Sequence, residues 1–468
     1  MQRALLILLI AASYLLFAGG PLWTRLVLWG IAAAAAAVAA APRALMHFPR
    51  RDRSLDTALL ALLAGTALQA VPLPAAVVQV LSPGSSLVRT ASQFSLGPPA
   101  AFSTLSLNPT ATLHALSGSA LAAVTFWIAR ASFRSGGTRH FVRLLGAMAG
   151  VFTAQAFVLR TAFPGLLMGV VRPETRSANP MGAFLNRNHF AAWMLMAAAT
   201  VAGYLVAHIH IHPGYRGRRA TAIKQFLISG AMMSTLSLML AVLGVLSTLS
   251  RSALIGFAGA ALTAGWIARD RLRTERTAVP RAFVSVGVLL LIAIGVLNVE
   301  AWAVRLQQSV GLAGGDAFDR LTIWRESWPM VRDFPLLGTG FGAYGDAMAY
   351  YQQSRFWVGS MQAWAFFNNA HSQYVQLLAE GGIVLFTCAG LAAVAFARLA
   401  LQAIRADKGE TYWIRLGAAA ALVGVAVQGL WEVPLLMPAN AILAGALAGL
   451  VLHQRQPVDS RGHAHPVD

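Results

Sequence analysis

The chain has 468 residues, of which 57% are hydrophobic and only 11% are charged. Soluble globular domains carry about 25% charged residues, so this composition, with a mean hydropathy of +0.61, excludes a soluble globular protein. The formal net charge of +19 would suit a nucleic-acid partner. However, the basic residues form short clusters between apolar runs, which is how membrane proteins fix their orientation. We therefore expect an all-α, polytopic integral membrane protein that contacts membrane lipid and no nucleic acid.

About twelve apolar runs are long enough to cross a bilayer as helices. The first run follows Arg3, as in a signal peptide. A small-x-small cleavage site does not follow it, so we expect an uncleaved span. In chain order the predicted spans lie near residues 4–19, 22–41, 55–72, 113–129, 142–159, 189–207, 225–247, 253–268, 282–299, 382–400, 412–431 and 435–452.

The distribution of basic residues predicts the orientation of these spans. With the N-terminus inside the cell, roughly two thirds of the 36 Lys and Arg residues fall in inside segments, as the positive-inside rule requires. Both termini are then expected inside, and residues 73–112, 160–188 and 300–371 form long outer segments. The single cysteine, Cys388, lies within an apolar run, so an intramolecular disulfide is impossible.

The longest outer segment, 300–371, is rich in aromatic residues, and a structureless loop of this length would be unusual. We expect a helix on the outer membrane surface, with Asp316 as its N-cap and Pro335 at its end. Its helical period predicts an apolar side made of Phe318, Leu321, Trp324, Trp328 and Val331. A second amphipathic stretch, 370–381, is expected to lead into the tenth span, with Tyr374, Leu377, Leu378 and Gly381 on one side.

Arginines on the outer side are the first candidates for chemistry. Basic residues are normally concentrated on the inside, and the planar guanidinium group can donate two hydrogen bonds to phosphate oxygens. Contact with lipid head groups, or pairing with nearby acids, is the competing interpretation. Arg251 stands apart, since it lies between two apolar runs with almost no loop, where a charge is costly. The outer arginines are Arg160, Arg172, Arg176, Arg187, Arg251, Arg305, Arg320, Arg325, Arg332 and Arg355.

Two further polar segments lie where the chain is predicted to re-enter the membrane. His371 could act as a general base, because the ordinary pKa of histidine is near neutral, or it could pack at a helix start. The segment Asn186–Phe190 could bind phosphate or sugar hydroxyls, or Asn188 could cap the sixth span. The glycines of 338–342 resemble a phosphate-binding loop but lack its strand and its Lys, so a turn is expected there.

Taken in order, these segments resemble the O-antigen ligase/polymerase family of polytopic membrane glycosyltransferases. One departure is Ser372, where many members have Asn after the histidine; a serine hydroxyl can still donate and accept hydrogen bonds. The matching segments are Asn186-Arg-Asn-His-Phe190, Thr248-Leu-Ser-Arg251, Arg320-Leu-Thr-Ile-Trp324, Phe334-Pro-Leu-Leu-Gly-Thr-Gly-Phe-Gly342 and Ala370-His371 with Glu380-Gly-Gly382 beyond.

The resemblance implies a function in lipopolysaccharide or surface-polysaccharide biosynthesis at the bacterial inner membrane. A glycan on undecaprenyl diphosphate would be moved, on the periplasmic face, to a hydroxyl of lipid A–core or of another glycan. No metal or other cofactor is implied. His371, Arg320 and Arg251 would be catalytic, with His371 activating the acceptor hydroxyl and the arginines stabilising the departing diphosphate. Arg187, Asn188 and Arg325 would bind the donor.

The resemblance also suggests a domain layout. We expect helices 1–5 with periplasmic loop 73–112 in residues 1–180, a ligase/polymerase-like core of helices 6–12 with periplasmic loop 300–371 in residues 181–452, and a cytoplasmic tail in 453–468.

Two alternatives stay open at the level of sequence. A transporter or flippase of lipid-linked oligosaccharide would also suit twelve spans. Transporters usually place ionisable residues near the bilayer midplane, whereas here the polar groups concentrate at the outer boundary. Within the enzyme class, a protein O-oligosaccharyltransferase would share the fold and the donor. A purely structural membrane scaffold would not explain the outer arginines or the aromatic-rich loop.

Overall fold

The computed structural model describes residues 1–39, 53–92, 101–173, 178–211, 230–274, 316–354, 357–358 and 363–454, and this part of the chain is almost entirely helical. The α-helices are α1 Gln2–Leu15, α2 Leu22–Ala39, α3 Arg53–Gln69, α4 Ala75–Leu81, α5 Gly84–Ser92, α6 Pro109–Ser132, α7 Thr138–Ala162, α8 Arg187–Ile211, α9 Gly230–Ser247, α10 Arg251–Thr274, α11 Asp316–Asp333, α12 Tyr344–Tyr351, α13 Gln373–Ala406, α14 Thr411–Gln428 and α15 Pro438–Leu452. Short 3₁₀ turns occupy Phe17–Gly19, Phe133–Ser135 and Pro434–Leu436.

In the part of the chain that the structure describes, strands form two small antiparallel pairs. Leu73–Pro74 (β1) pairs with Phe102–Ser103 (β2), and Trp357–Val358 (β3) pairs with Ala363–Trp364 (β4). The all-α expectation is therefore confirmed for the described residues.

Among the described residues, six helices are long and apolar enough to cross a membrane: α6, α7, α8, α10, α13 and α14. Four shorter apolar helices, α1, α2, α9 and α15, coincide with other predicted spans. The predicted span 55–72 coincides with α3, and the predicted span 282–299 lies outside the described residues. The fold is that of a polytopic membrane protein, and the count of twelve spans stays a prediction.

Glycine contacts set the packing at the centre of the bundle. A Cβ added to Gly203 of α8 would lie 2.9 Å from Gly417 Cα of α14, and one added to Gly256 of α10 would lie 2.6 Å from Gly424 O of α14. Membrane helices without a hydrophobic driving force between them associate through such close backbone approach. The helices α8, α14 and α10 consequently form a tight antiparallel group, which brings the start of α8, the start of α10 and the end of α14 to one end of the bundle.

A small helical layer covers this end of the bundle. Its core contains Ile323, Met330 and Phe334 from the α11 region, packed with Tyr344 and Met348 of α12. The helix α11 begins at Asp316 and ends at Asp333, two residues before Pro335, close to the predicted bounds.

The predicted apolar side of α11 differs from the side that is buried within the protein. Leu321 is 61% exposed and Trp328 is 52% exposed, whereas Ile323 and Met330 are buried. The reason is that the core of the layer also accepts polar groups that have partners. Ser327 and Glu326 are buried there, so the buried side is turned away from the purely apolar stripe.

The stretch that leads into the tenth span is helical from Gln373 onward. The segment Gln373–Ala406 is kinked at Gly382, whose non-helical backbone (φ 59°, ψ −172°) separates two helical stretches. Its buried side carries Gln376, Ala379 and Glu380, whereas Tyr374 is 39% exposed. The Gln376 amide donates to Glu380 Oε1 at 2.8 Å, so a polar pair with its own hydrogen bonds takes the buried position.

Candidate functional site

A buried carboxylate, that of Glu432, gathers the polar side chains at this end of the bundle. Its side chain is only 1% exposed, and its Oε1 accepts hydrogen bonds from Arg320 Nη2 at 3.0 Å and from Asn188 Nδ2 at 2.6 Å. The other oxygen, Oε2, lies 4.0 Å from His371 Nδ1, which is ion-pair distance. Segments far apart in sequence thus meet at one carboxylate. We call these four residues the Glu432 cluster.

The start of α8 delivers Asn188 to the cluster. The Asn186 side chain accepts a hydrogen bond from Asn188 N at 2.8 Å, which satisfies a backbone donor at the helix start. Asn186 therefore caps the helix, which was one of the two alternatives for Asn188, and the Asn188 amide binds Glu432. The Gln428 amide fixes the same turn by donating to Asn188 O at 3.0 Å.

The loop after α14 delivers Glu432 and ties it to the start of α13. The backbone N–H of Gln373 donates to Gly429 O at 2.8 Å and to Glu432 O at 2.9 Å. Ser372 is the N-cap of α13 and accepts from Val375 N. His371 directly precedes this cap, so the backbones that carry His371 and Glu432 are held together before their side chains interact.

The helix α11 delivers Arg320 and also fixes the residue before His371. The Trp324 indole N–H donates to Ala370 O at 2.8 Å, and Ala370 N donates to Gln376 Oε1 at 2.7 Å. On its buried side the Glu326 carboxylate accepts from Ser354 N at 2.8 Å. The same helix therefore positions the guanidinium of Arg320 and the backbone of His371.

His371 adopts a backbone conformation that is costly for a residue with a side chain. Its φ is 46°, in the left-handed region, which costs roughly 1–2 kcal/mol for an L-residue other than glycine. Its backbone N–H donates to Asn369 Oδ1 at 3.1 Å, and its side chain is 37% exposed. Such outliers persist where the surroundings impose them and cluster at functional sites, so His371 is both strained and accessible.

Electrostatics keep the Glu432 carboxyl ionised. Burial alone raises its pKa, but the nearby His371, Arg320 and His189 side chains together bring the pKa below its ordinary value. The carboxylate is therefore a permanent negative charge at neutral pH. It also fixes the guanidinium of Arg320 through the hydrogen bond to Oε1.

Several buried polar atoms around Glu432 make no hydrogen bond within the described part of the chain. They are both ring nitrogens of His189, Glu432 Oε2, Gln428 Oε1 and Asn440 Oδ1. Leaving such an atom without a partner costs about 1–3 kcal/mol. Acceptors predominate in this group, so it is suited to a ligand that donates hydrogen bonds, such as a hydroxyl group.

The structure brings together three of the six predicted site residues: His371, Arg320 and Asn188. Arg251 and Arg187 are the first residues of α10 and α8 and lie at the same end of the bundle. Arg325 differs, because it is exposed and lies about 140° around α11 from Arg320 by helical geometry. It therefore faces away from the Glu432 cluster.

Sequence reasoning missed Glu432 and His189. Glu432 follows directly on the predicted span 412–431, at the end of an apolar run in a chain with only 17 acidic residues. A lone ionisable residue at the end of an apolar run is a functional candidate by default, and that signal could have found it. His189 stood inside the Asn186–Phe190 segment but was not singled out.

The expected turn at 338–342 is confirmed, and its role is structural. Gly338, Gly340 and Gly342 have φ of 68°, 99° and 80°. A Cβ added to Gly338 would lie 2.2 Å from the backbone carbon of Glu380, and Gly340 N donates to Glu380 O at 3.1 Å. The turn thus locks the layer against α13. Within the described ranges no three His, Cys, Asp or Glu side chains are grouped so that they could hold a metal ion.

Comparison with known proteins gives one family. No curated protein matches the chain. Residues 236–390 match the family model described as O-Antigen ligase, and this range contains Arg251, Arg320 and His371. Members of such a family are membrane enzymes that transfer glycans. The family recognised from the sequence motifs is therefore confirmed by a match over residues 236–390 of the chain.

Proposed function

We propose that the protein transfers a glycan from an undecaprenyl-diphosphate carrier to an acceptor hydroxyl on the periplasmic face of the bacterial inner membrane, as an O-antigen ligase or a surface-polysaccharide polymerase. The observation that carries the proposal is the Glu432 cluster, in which His371 and Arg320 meet at one carboxylate. A general base beside its orienting carboxylate, with a phosphate-binding cation next to it, is the arrangement that this transfer requires.

The reaction is a substitution at the anomeric carbon of the donor sugar. The acceptor hydroxyl oxygen forms the new glycosidic bond, and the bond between the anomeric carbon and the diphosphate oxygen breaks. The hydroxyl proton passes to the accessible imidazole of His371, and the lipid diphosphate departs with the electron pair of the broken bond. Loss of the activated diphosphate drives the transfer, so the reaction needs no nucleotide.

The residues of the cluster divide these tasks. The Glu432 carboxylate orients His371 and stabilises the imidazolium that forms when the proton is taken. The Arg320 guanidinium uses one N–H on Glu432, which leaves further donors of its fork for the diphosphate. Arg251 and Arg187, at the same end of the bundle, add positive charge for the donor. Arg325 is a weaker candidate for donor binding, because it lies on the exposed face of α11.

Transporter function receives no such support from the geometry. A transporter would move the same lipid without bond cleavage, and a strained histidine beside a buried carboxylate would have no task in it. Metal independence and the choice between a ligase and a polymerase, or a protein O-oligosaccharyltransferase, are part of the proposal that the assay below decides.

The test is an in vitro transfer assay with the purified full chain. An undecaprenyl-diphosphate oligosaccharide is offered with lipid A–core, a glycan or a protein as separate acceptors, in the presence of a chelator and without nucleotide. Transfer to one acceptor establishes the enzyme and names its subgroup. If none gains the glycan while vesicles with the protein move labelled lipid across the bilayer, the transporter function replaces this proposal.

A further inference from the structure

A second polar cavity lies at the end of the bundle opposite to the Glu432 cluster. It has a volume of about 460 Å³ and is formed where α10 ends and where the loop after α13 joins α14. Volumes of about 300–1,000 Å³ are typical of small-ligand sites. The cavity shares no residue with the Glu432 cluster. We call it the basic cavity.

The charged residues of the basic cavity are mostly cations. Arg269, Arg271, Arg405 and Lys408 line it, together with the acids Asp270 and Asp407. Asp407 is already engaged, since its Oδ2 accepts from Arg415 Nε at 3.0 Å and its Oδ1 accepts from Gly409 N at 2.9 Å. The Asp270 side chain is 81% exposed and lies 3.7 Å from Arg269. The cavity therefore has an excess of positive charge.

One of the cations is held in place by the walls of the cavity. The Arg271 guanidinium lies over the Tyr412 ring, 4.3 Å from its centroid, and its Nη2 donates to Lys408 O at 3.2 Å. The helix α14 begins beside it at Thr411. Its N-cap residue, Glu410, makes no capping bond within the described residues, and its carboxylate pairs with Arg139 instead. A helix start carries backbone N–H donors and a partial positive charge. An ordered guanidinium next to a helix start is suited to a phosphate group.

The outer wall of the basic cavity changes in character along α10. Leu262 is 74% exposed, Trp266 is 55% exposed, and the Arg269 guanidinium lies 5.7 Å from the Trp266 ring centroid. These residues are four and three positions apart and share one side of the helix. The order from apolar through aromatic to cationic matches the order of acyl chain, interface and head group in a lipid leaflet.

We propose that the basic cavity binds the phosphate of an anionic phospholipid, with its acyl chains lying along the Leu262 and Trp266 side of α10. Clustered cations between the ends of membrane helices bind anionic head groups, and each contributes about 1 kcal/mol near the membrane surface. We assign the phosphate to a lipid rather than to free inorganic phosphate, because the wall of the cavity continues outward as an apolar and aromatic surface on which acyl chains can pack. The site is independent of glycan transfer.

The test measures thermal unfolding of the full chain in nanodiscs. Discs of neutral phosphatidylcholine are compared with discs that contain phosphatidylglycerol, and a third arm adds inorganic phosphate to the neutral discs. The double variant R405Q/K408Q removes two cations at positions without a packing role, and R271Q removes the ordered one. Arg143→Gln is the matched control, because Arg143 is an exposed cation at the same end of the bundle on α7.

We expect phosphatidylglycerol to raise the unfolding temperature of the wild type and of Arg143→Gln in a saturable way. In R405Q/K408Q the apparent lipid affinity should fall at least about tenfold, since two head-group contacts are lost. An equal response of R405Q/K408Q and the control overturns the site. A full response to inorganic phosphate without anionic lipid overturns the lipid as its ligand.

Discussion

Replacing Glu432 by glutamine tests the central geometric argument, because it removes one charge and keeps the shape of the side chain. In the native protein the carboxylate accepts from Arg320 and Asn188 and lies beside His371. Hydrogen bonds to charged groups are worth about 1.5–3 kcal/mol. If that difference is lost in the transition state, the transfer rate falls by about tenfold to a hundredfold, since about 1.4 kcal/mol corresponds to tenfold.

The assay compares initial transfer rates and unfolding temperatures of the wild type and Glu432→Gln in the same detergent. Asp56→Asn is the matched control, because Asp56 is a partly buried carboxylate at the opposite end of the bundle that accepts from Trp127 Nε1 at 2.8 Å and lies 3.7 Å from Arg130. It should retain the wild-type transfer rate. A Glu432→Gln protein that is folded and transfers at the wild-type rate would refute the role of the carboxylate.

The pH dependence of stability gives a second readout for the same variant. The pKa of Glu432 is lower in the native protein than its ordinary value of 4.5, so the native state favours the ionised form. The resulting stabilisation is present at pH above about 4.5 and is lost as the pH falls through the native pKa. The difference in unfolding temperature between wild type and Glu432→Gln should therefore be constant at neutral pH and shrink below this value. A constant difference down to pH 3 would contradict the assigned charge state.

Three further predictions address single positions. His371→Ala should abolish transfer while expression persists. His371→Asn should be equally inactive but more stable than His371→Ala, because Asn tolerates the left-handed backbone. Activity in either variant would contradict the role of His371 as general base. Arg325→Ala should leave the transfer rate within about threefold of the wild type, because its guanidinium is exposed on α11 and turned away from Glu432. Arg320→Ala should lower the transfer rate by at least about tenfold. Equal losses in the two variants would indicate that both arginines contact the donor. Gly338→Ala should lower the free energy of unfolding by at least about 1–2 kcal/mol, because Gly338 has a positive φ and an added Cβ would contact the Glu380 backbone. The control is Gly30→Ala, whose added Cβ meets no described atom within 4 Å and which should not change the unfolding temperature. An unchanged unfolding temperature of Gly338→Ala would show that the turn does not hold the layer against α13.

The sequence was sufficient for the elements whose causes are local. Apolar length marked the helices, Asp316 and Pro335 marked the bounds of α11, and the glycines of 338–342 marked a turn. These features depend on hydrophobic period, capping and backbone conformation, all of which are properties of a few neighbouring residues. The motifs also identified the family, because they combine residue types in a fixed order.

The orientation of side chains could not be predicted in the same way. Leu321 and Trp328 were expected on the apolar side of a helix that lies on the membrane surface, but which side of α11 is buried within the protein is decided by partners from other segments. Ser327 donates to or accepts from Tyr344 Oη at 2.6 Å, and Glu326 binds the backbone of Ser354. A polar residue with such a partner can be buried as readily as an apolar one, and those partners are invisible in the local pattern.

The sequence predicted only part of the Glu432 cluster for the same reason. His371, Arg320 and Asn188 stood out as polar residues at predicted membrane boundaries, yet nothing in their own segments shows that they share a carboxylate. That residue lies 244 positions from Asn188 and 112 from Arg320 in the chain. Only the antiparallel packing of α8 against α14, through Gly203 and Gly417, brings the start of one helix to the end of the other.

A purely structural role would explain Glu432 less well than a functional one. Replacing a buried ion pair by apolar residues is often neutral or stabilising, so Arg320 and Glu432 add little to stability that a packed pair of aliphatic side chains would not. The strained backbone of His371 adds a cost. The buried atoms of His189 and Gln428 that have no hydrogen-bond partner within the described residues add more. Four costs at one end of the bundle are consistent with selection for chemistry at that place, since a fold optimised for stability alone would have removed each of them separately.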